Sequence, residues 1–191
     1  MEKEFWNNRY QNQQTGWDLG KSSPPLMQLM KTVTNKNAKI LIPGCGSAHE
    51  AKDLMDLGFN NLWLIDISEH AIRNIQNQMP NFPKEKLVCN DFFEWEENNF
   101  DIILEQTFFC AIQPSWREKY VQNMAKKLKV GGILQGVLFN REFEGGPPFG
   151  GNEEEYKKLF EPYFEFILWE TCPCSIQPRD KTELWFQLKQ K

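Results

Sequence analysis

An apolar strand, a glycine turn and a helix follow one another directly between residues 39 and 57. Residues 39–42 are Lys-Ile-Leu-Ile, residues 43–46 are Pro-Gly-Cys-Gly, and residues 48–57 carry apolar side chains at helical spacing before Gly58 ends the helix. Gly44 and Gly46 leave room for a ligand to approach the backbone, and the following helix N-terminus favours electron-rich groups. This unit predicts an α/β fold with a ligand site at the carboxyl end of the strand.

The alternation of strands and helices continues along the rest of the chain. Repeated βα units predict a parallel sheet covered by helices on both faces. The last two strands alternate without a helix between them, which predicts an antiparallel hairpin at the sheet edge. The predicted fold class is therefore α/β, a Rossmann-like, doubly wound, mostly parallel seven-stranded sheet with an antiparallel C-terminal hairpin. Its strands are predicted at residues 39–42, 61–65, 86–89, 100–104, 132–139, 163–170 and 182–189.

The size and charge of the chain exclude several classes of protein. Its 191 residues fit one domain, residues 1–191, in which residues 1–23 form an arm or lid over the site. Twenty-two Lys and Arg against 26 Asp and Glu give a net charge of -4, without the basic stripe that nucleic acid requires. No apolar stretch is long enough to span a bilayer, and the charged, aromatic first residues lack a secretion signal. We expect a cytoplasmic monomer that binds neither nucleic acid nor membrane.

The cysteines predict free thiols and no metal site. Five cysteines are an odd number, scattered through apolar segments, unlike the disulfide framework of a small secreted domain. Cys172 and Cys174 are separated by one residue, and neither His49 nor His70 completes a zinc-binding spacing with them. The sequence therefore gives no reason to expect a bound metal.

Asp66 ends the second strand, where an acid can accept hydrogen bonds from ribose hydroxyls. A second interpretation is that Asp66 caps the helix that begins at Glu69. The dinucleotide motif lacks its third glycine, because Ser47 and Ala48 follow Gly46. This departure weakens the prediction of an NAD site.

Other candidate residues follow the third and fourth strands or precede the first. Asp91 could accept a hydrogen bond from an adenine amino group while Phe92 covers the base, although any single Phe is by default a core residue. Glu105 and Gln106 end the fourth strand at the same edge of the sheet. Residues 140–151 are predicted to form a loop over the site. Three large aromatic residues of the arm need a packing partner, such as a cationic ligand: Trp6, Tyr10 and Trp17.

Taken in order, these residues resemble class I S-adenosylmethionine-dependent methyltransferases, and among them the thiopurine and thiol (halide) methyltransferase family. The resemblance covers nearly the whole chain. It is carried by Trp6, Tyr10, residues 17–20, residues 42–46, residues 66–68, residues 91–93, residues 108–112 with Arg117 and Tyr120, and residues 145–148.

The resemblance implies roles for individual residues. It implies an S-adenosylmethionine site in which the arm aromatics wall the pocket, Gly44 and Gly46 approach the cofactor, and Asp66 with Ile67 holds the ribose. Asp91 and Phe92 would frame the adenine, and Glu105 and Gln106 would line the methionine and methyl-donor region. Arg117 would orient an anionic acceptor, or it is a solvated charge on its helix. The residues to which the resemblance gives a role are Trp6, Tyr10, Trp17, Gly44, Gly46, Asp66, Ile67, Asp91, Phe92, Glu105, Gln106 and Arg117.

The implied reaction is transfer of a methyl group to a small thiol, hydrosulfide, thiopurine-like or halide acceptor. In-line displacement at a sulfonium by a soft nucleophile needs alignment and a dry pocket more than a strong base. Two alternatives remain open, a small-molecule N- or O-methyltransferase and a non-catalytic nucleotide-binding domain. The Asn/Asp-Pro-Pro-Tyr/Phe motif typical of many amino-methylating relatives is absent, because residues 105–108 are Glu-Gln-Thr-Phe.

Overall fold

The computed structural model describes residues 3–191, and a seven-stranded mixed sheet lies at its centre in the order β3-β2-β1-β4-β5-β7-β6. The first five strands are parallel, and β7 pairs antiparallel with both β5 and β6. The predicted fold class and the C-terminal hairpin are confirmed. The strands are β1 (Ile40–Pro43), β2 (Leu62–Asp66), β3 (Leu87–Cys89), β4 (Phe100–Gln106), β5 (Leu128–Phe139), β6 (Phe164–Thr171) and β7 (Glu183–Gln190).

Helices cover the two faces of the sheet because successive residues of each buried strand point to opposite faces. Ile102 of β4 packs into a cluster with α2, α3 and α4, whereas its neighbour Ile103 packs into a second cluster with α5 and α6. The helices are α1 (Lys3–Gln11), α2 (Pro24–Lys31), α3 (His49–Asp56), α4 (Glu69–Gln78), α5 (Arg117–Lys127) and α6 (Glu153–Phe160). None of the helices within residues 3–191 is long and apolar enough to cross a membrane.

The strand order reverses at β1, which lies between β2 and β4. The connections after β1 and β4 therefore diverge to opposite faces and leave a crevice at the carboxyl ends of these strands. β4 extends to Gln106, two residues beyond its predicted end, because Glu105 and Gln106 pair with Gly136 and Val137 of β5. The crevice is thus bordered by polar residues that the sheet itself holds in place.

The first helix of the N-terminal arm, α1, packs on α4 outside the core. Helix α1 has no buried residues, and polar contacts attach it to α4. Lys3 Nζ lies 2.5 Å from Glu69 Oε1, and Ser68 Oγ donates to Asn7 Oδ1 at 2.9 Å. Met1 and Glu2, which belong to the predicted arm, lie outside the described residues. The position of the arm is therefore set by surface contacts and by the aromatic residues that it places over the crevice.

Candidate active site

A cavity of about 520 Å³ occupies the crevice at the carboxyl ends of β1, β2 and β4. Its volume falls within the range of roughly 300–1,000 Å³ that is usual for small-molecule sites. The structure brings together all of the sequence-predicted site residues except Glu105 and Arg117. The predicted residues that line the cavity are Trp6, Tyr10, Trp17, Gly44, Gly46, Asp66, Ile67, Asp91, Phe92 and Gln106.

The two glycines of the turn after β1 are required by conformation and by space. Gly44 has a φ of +55° and Gly46 a φ of +52°, in the left-handed region that residues with a Cβ disfavour. A Cβ at Gly44 would collide with the ring of Phe108, and one at Gly46 would lie 2.7 Å from Tyr10 Oη. The turn therefore packs directly against the arm on one side and the segment after β4 on the other.

Asp66 lies at the end of β2 with its carboxylate facing the glycine turn. Its Oδ2 accepts a hydrogen bond from the Gly46 N–H at 2.9 Å, and its Oδ1 accepts one from the Ser68 N–H at 2.8 Å. Burial raises the pKa of Asp66. The side-chain cap of α4 is supplied by Ser68, whose Oγ accepts from the Ala71 N–H at 3.3 Å. The side chain that caps α4 is therefore that of Ser68, and Asp66 lines the cavity.

The segment after β3 places a second acid and an aromatic ring on the cavity wall. Asp91 Oδ1 accepts a hydrogen bond from the Phe93 N–H at 2.8 Å, which fixes the turn. The Phe92 ring is 4% exposed and meets the Phe108 ring edge to face, with centroids 5.2 Å apart. Phe92 is thus both a core residue and part of the wall, so the two interpretations of this residue are compatible.

Three aromatic residues of the arm form one packed unit over the cavity. The Trp17 ring meets Trp6 and Tyr10 edge to face, with centroids 5.4 Å and 5.8 Å away. Arg179 Nη2 donates to the Trp17 carbonyl at 2.9 Å and so ties this unit to the C-terminal hairpin. All three of these residues also line the cavity.

An acid of the arm fastens the arm to the start of α3. Asp18 accepts hydrogen bonds from Ser47 Oγ and from the Gly20 N–H at 2.7 Å, and His49 Nε2 lies 2.7 Å from Asp18 Oδ1. Burial acts to raise the pKa of Asp18, but the hydrogen bonds from Ser47, Gly20 and His49 outweigh it and hold the pKa below its usual value. Sequence reasoning assigned no role to this contact, because the partners lie far apart in the chain. Its only local signal is an acid directly after Trp17.

Glu105 is placed behind the cavity wall. Its side chain is fully buried, and Oε1 accepts hydrogen bonds from the N–H groups of Phe108 and Phe109 at 2.8 Å and 2.9 Å. Tyr120 donates its hydroxyl proton to Oε2. Burial raises the pKa of Glu105 to about 7, against the lowering effect of these donors. The geometry thus separates Glu105 from Gln106, whose side chain lines the cavity.

Arg117 also lies away from the cavity, which corrects both interpretations of this residue. It is 2% exposed, so it is not a solvated charge, and its Nη1 lies 2.8 Å from Glu155 Oε1. Nη2 donates to the Gly150 carbonyl at 2.5 Å. The guanidinium therefore anchors the loop of residues 140–151, and this loop packs on the Cys110 carbonyl through the Phe149 N–H at 2.7 Å. No residue of the loop lines the cavity, so the prediction of a loop over the site is wrong.

Comparison with known proteins gives consistent matches. The family model described as thiopurine S-methyltransferase matches residues 1–183. A probable thiol methyltransferase 2 from Arabidopsis thaliana is 34% identical over 184 residues, covering 93% of this chain and 81% of that protein. A thiopurine S-methyltransferase from Photobacterium profundum is 26% identical over 180 residues, covering 84% of this chain and 83% of that protein.

A solved structure shows the same fold at low sequence identity. The Burkholderia thailandensis 1,6-didemethyltoxoflavin-N1-methyltransferase, crystallised with S-adenosylhomocysteine, superposes with a TM-score of 0.78. It is 15% identical and covers 99% of this chain and 87% of that chain. The likeness extends over the sheet and the helices on both faces.

Proposed function

Since the chain belongs to the thiopurine S-methyltransferase family, we propose that it is an enzyme that moves a methyl group from S-adenosylmethionine to the sulfur of a small-molecule thiol. The observation that carries this proposal is one cavity that joins a glycine turn, an acid at the end of β2 and a roof of arm aromatics. Hydrosulfide, thiopurine-like compounds and halide ions are acceptors of the same soft, nucleophilic kind.

The cavity wall is chemically suited to S-adenosylmethionine. Four carboxylates line it, and Lys21 is the one lysine or arginine among its lining residues within 3–191, so the field favours a cationic sulfonium. Gln106 Oε1 is buried without a hydrogen-bond partner among those residues, which leaves an acceptor for a ligand donor. The aromatic roof offers ring faces to a cation. The lining carboxylates are Asp18, Glu50, Asp66 and Asp91.

We assign each part of the wall to a part of the cofactor. Asp66 and Ile67 hold the ribose, because they line the cavity at the end of β2 and Asp66 is bonded to the Gly46 N–H of the glycine turn. Asp91 and Phe92 frame the adenine after β3. The remaining wall residues border the methionine portion and the methyl donor: Trp6, Tyr10, Trp17, Gly44, Gly46 and Gln106.

The chain's own contribution to the reaction is alignment and exclusion of water. When bound, S-adenosylmethionine would supply an electrophilic methyl carbon for in-line attack by a thiolate, with S-adenosylhomocysteine as the leaving group. Phe108, Ala111 and Ile112 give the acceptor end of the cavity an apolar surface, on which a small thiol sheds water. The arm closes the opposite side, and we propose that residues 1–23 act as its lid. No strong general base is needed, because a thiol ionises near neutral pH more readily than an alcohol or an ammonium group.

A methyl-transfer assay on a panel of thiols, halides, amines and phenols tests the proposal. We expect S-adenosylhomocysteine to accumulate with thiols, and mass spectrometry to find the methyl group on sulfur. The rate at subsaturating thiol should rise with pH until the thiol is ionised, whereas a halide has no proton to lose. Turnover of an amine or phenol without turnover of any thiol or halide would replace the proposal with N- or O-methylation. Cofactor binding without any turnover would favour a nucleotide-binding domain.

We also propose that the enzyme acts as a cytoplasmic monomer. Free cysteines support a reducing compartment, since all five cysteines are unpaired. Among the described residues, the large exposed apolar side chains are Met55 and Leu57 at the end of α3 and three others on separate elements, Trp116, Val130 and Ile167. At most two of them therefore lie on any one element. Light scattering at micromolar concentration tests the assembly, and a stable dimer would contradict it.

A further inference from the structure

A strained turn directly after β4 forms part of the cavity wall. Thr107 has a φ of +59°, which is an outlier for a β-branched residue. Such a conformation persists only where the surrounding structure holds it, and it is concentrated at functional sites. Gln106, Thr107 and Phe108 all line the cavity. Some group of the protein must therefore hold this turn in its strained conformation.

The Glu105 carboxylate is the group that holds it. One oxygen receives two consecutive backbone N–H groups, from Phe108 and Phe109, and the Tyr120 hydroxyl donates to the other. The side chain has no exposure to solvent, so water cannot replace these bonds. The carboxylate thereby closes the strained turn from behind.

The strained turn also sets the distance between the part of the cavity assigned to the cofactor and the part assigned to the acceptor. The Phe108 ring fills the space beside Gly44, so closely that a Cβ at Gly44 would collide with it. Phe108 also packs edge to face on Phe92, with centroids 5.2 Å apart. A shift of the turn would therefore move Phe108, which belongs to the acceptor end of the cavity, relative to the glycine turn.

We propose that Glu105 is a positioning residue for methyl transfer, which acts through the Gln106–Phe108 wall and not by contact with either substrate. The inference rests on the proposed function and assigns one more residue to that site. In-line displacement is sensitive to misplacement of about 1 Å, which can cost about 100-fold in rate. The ribose and adenine partners, Asp66 and Asp91, belong to other strands, so loss of Glu105 should impair turnover more than cofactor binding.

The proton state of Glu105 provides a second signature. The ionised carboxylate only accepts hydrogen bonds, so it satisfies all three donors. The protonated carboxyl group must direct its own proton toward one of these donors. The titratable groups that face it are Tyr120 from α5, Cys110 from the turn and, across a small cavity, Glu183 from β7. Because burial raises the pKa of Glu105 to about 7, kcat should rise between pH 6 and pH 8.

Steady-state kinetics of Glu105→Ala, Glu105→Gln and Tyr120→Phe test the inference. The acceptor is a nitro-substituted thiophenol, which stays ionised over the pH range, and calorimetry measures S-adenosylhomocysteine binding. We expect Glu105→Ala to lower kcat by at least about tenfold and to change the Kd by less than about threefold. Glu105→Gln should keep the turn in a pH-independent form, so its kcat should match that of the wild type at pH 6 and should not rise by pH 8.

Tyr156→Phe is the matched control for Tyr120→Phe. Both tyrosines pack on Phe109, but Tyr156 donates to the Phe139 carbonyl instead of Glu105. Tyr120→Phe should lower kcat and Tyr156→Phe should not. Wild-type kcat in a folded Glu105→Ala protein, or equal losses in kcat and binding, would overturn the inference. If Glu105→Ala does not fold, an unchanged pH profile in Glu105→Gln would overturn it. A wild-type protein without thiol turnover would instead refute the proposed function.

Discussion

The contacts of the Asp66 carboxylate allow a prediction for a single residue. Its two oxygens each accept a hydrogen bond from a backbone N–H, and the residue lines the cavity. Asp66→Ala should weaken S-adenosylhomocysteine binding by about 1.5–3 kcal/mol, because charge-assisted bonds to the ribose are lost. Calorimetry on the folded variant measures this change.

A control for Asp66→Ala must destabilise the protein without touching the cavity. Asn152 is suitable, because its Oδ1 accepts from the Glu155 N–H at 3.0 Å and caps α6 far from the site. Asn152→Ala should lower stability by about 1 kcal/mol and leave binding unchanged. Equal affinities in wild type and Asp66→Ala would remove Asp66 from the site.

Glu105 should make the protein less stable as the pH rises. Its pKa is raised from the ordinary value of 4.5 to about 7, so the folded state binds more protons than the unfolded state between these values. Stability from this group is full below pH 4.5 and is lost as pH rises through 7, by about 3 kcal/mol. The Glu105→Gln variant should not show this loss of stability with rising pH.

Urea unfolding at pH 4.5 and pH 8 measures the difference between the two proteins. Glu105→Gln should gain stability relative to the wild type as the pH rises. Glu50, Asp66 and Glu183 also have pKa values raised by burial, but they titrate in both proteins and cancel in the comparison. A stability difference that is the same at both pH values would show that Glu105 titrates normally.

Asp18 is the residue of the arm that bonds to the start of α3, through Ser47 and His49. Asp18→Ala removes the bonds to Ser47 and His49, and we expect cofactor affinity to fall about tenfold, equal to about 1.4 kcal/mol. The fold should persist, because α1 buries none of its residues. Stopped-flow fluorescence of the arm tryptophans should show the loss as faster cofactor release.

Asp53→Ala serves as the matched control for the arm, since Asp53 is an exposed acid on α3, the helix that Asp18 contacts. It should leave the release rate unchanged. Because the pKa of Asp18 is held below its usual value, the contact should weaken only as pH falls through that lowered pKa. Unaltered release in Asp18→Ala would mean that the arm is not a lid.

The sequence predicted elements better than it predicted contacts between them. Every strand was found because apolar runs and turn residues are local signals, and Asp66 was found because it ends such a run. Glu105 was assigned to the site from its place at the end of the fourth strand and from the family resemblance, and Arg117 was assigned from the resemblance. Their side chains turn away, since Phe108 N–H and Gly150 carbonyl groups are nearer partners. Sequence spacing carries no information on these directions.

At the scale of the whole molecule, two hydrophobic clusters pack on opposite faces of the sheet. Ile102 and Ile103 are neighbours on β4 that face opposite clusters, and they are 6% and 0% exposed. Ile102→Val and Ile103→Val remove the same methylene group, one on each face. Each should cost about 0.5–1.5 kcal/mol.

If the chain is a single cooperative domain, both substitutions should lower the same thermal transition. For a chain of this length, 1 kcal/mol corresponds to a shift of about 2–4 °C. Near-UV and far-UV circular dichroism should report coincident midpoints in both variants, because neither cluster can lose its packing while β4 stays in the sheet. A biphasic transition in one variant, with only one phase shifted, would show that the two faces unfold separately and would refute the one-domain prediction.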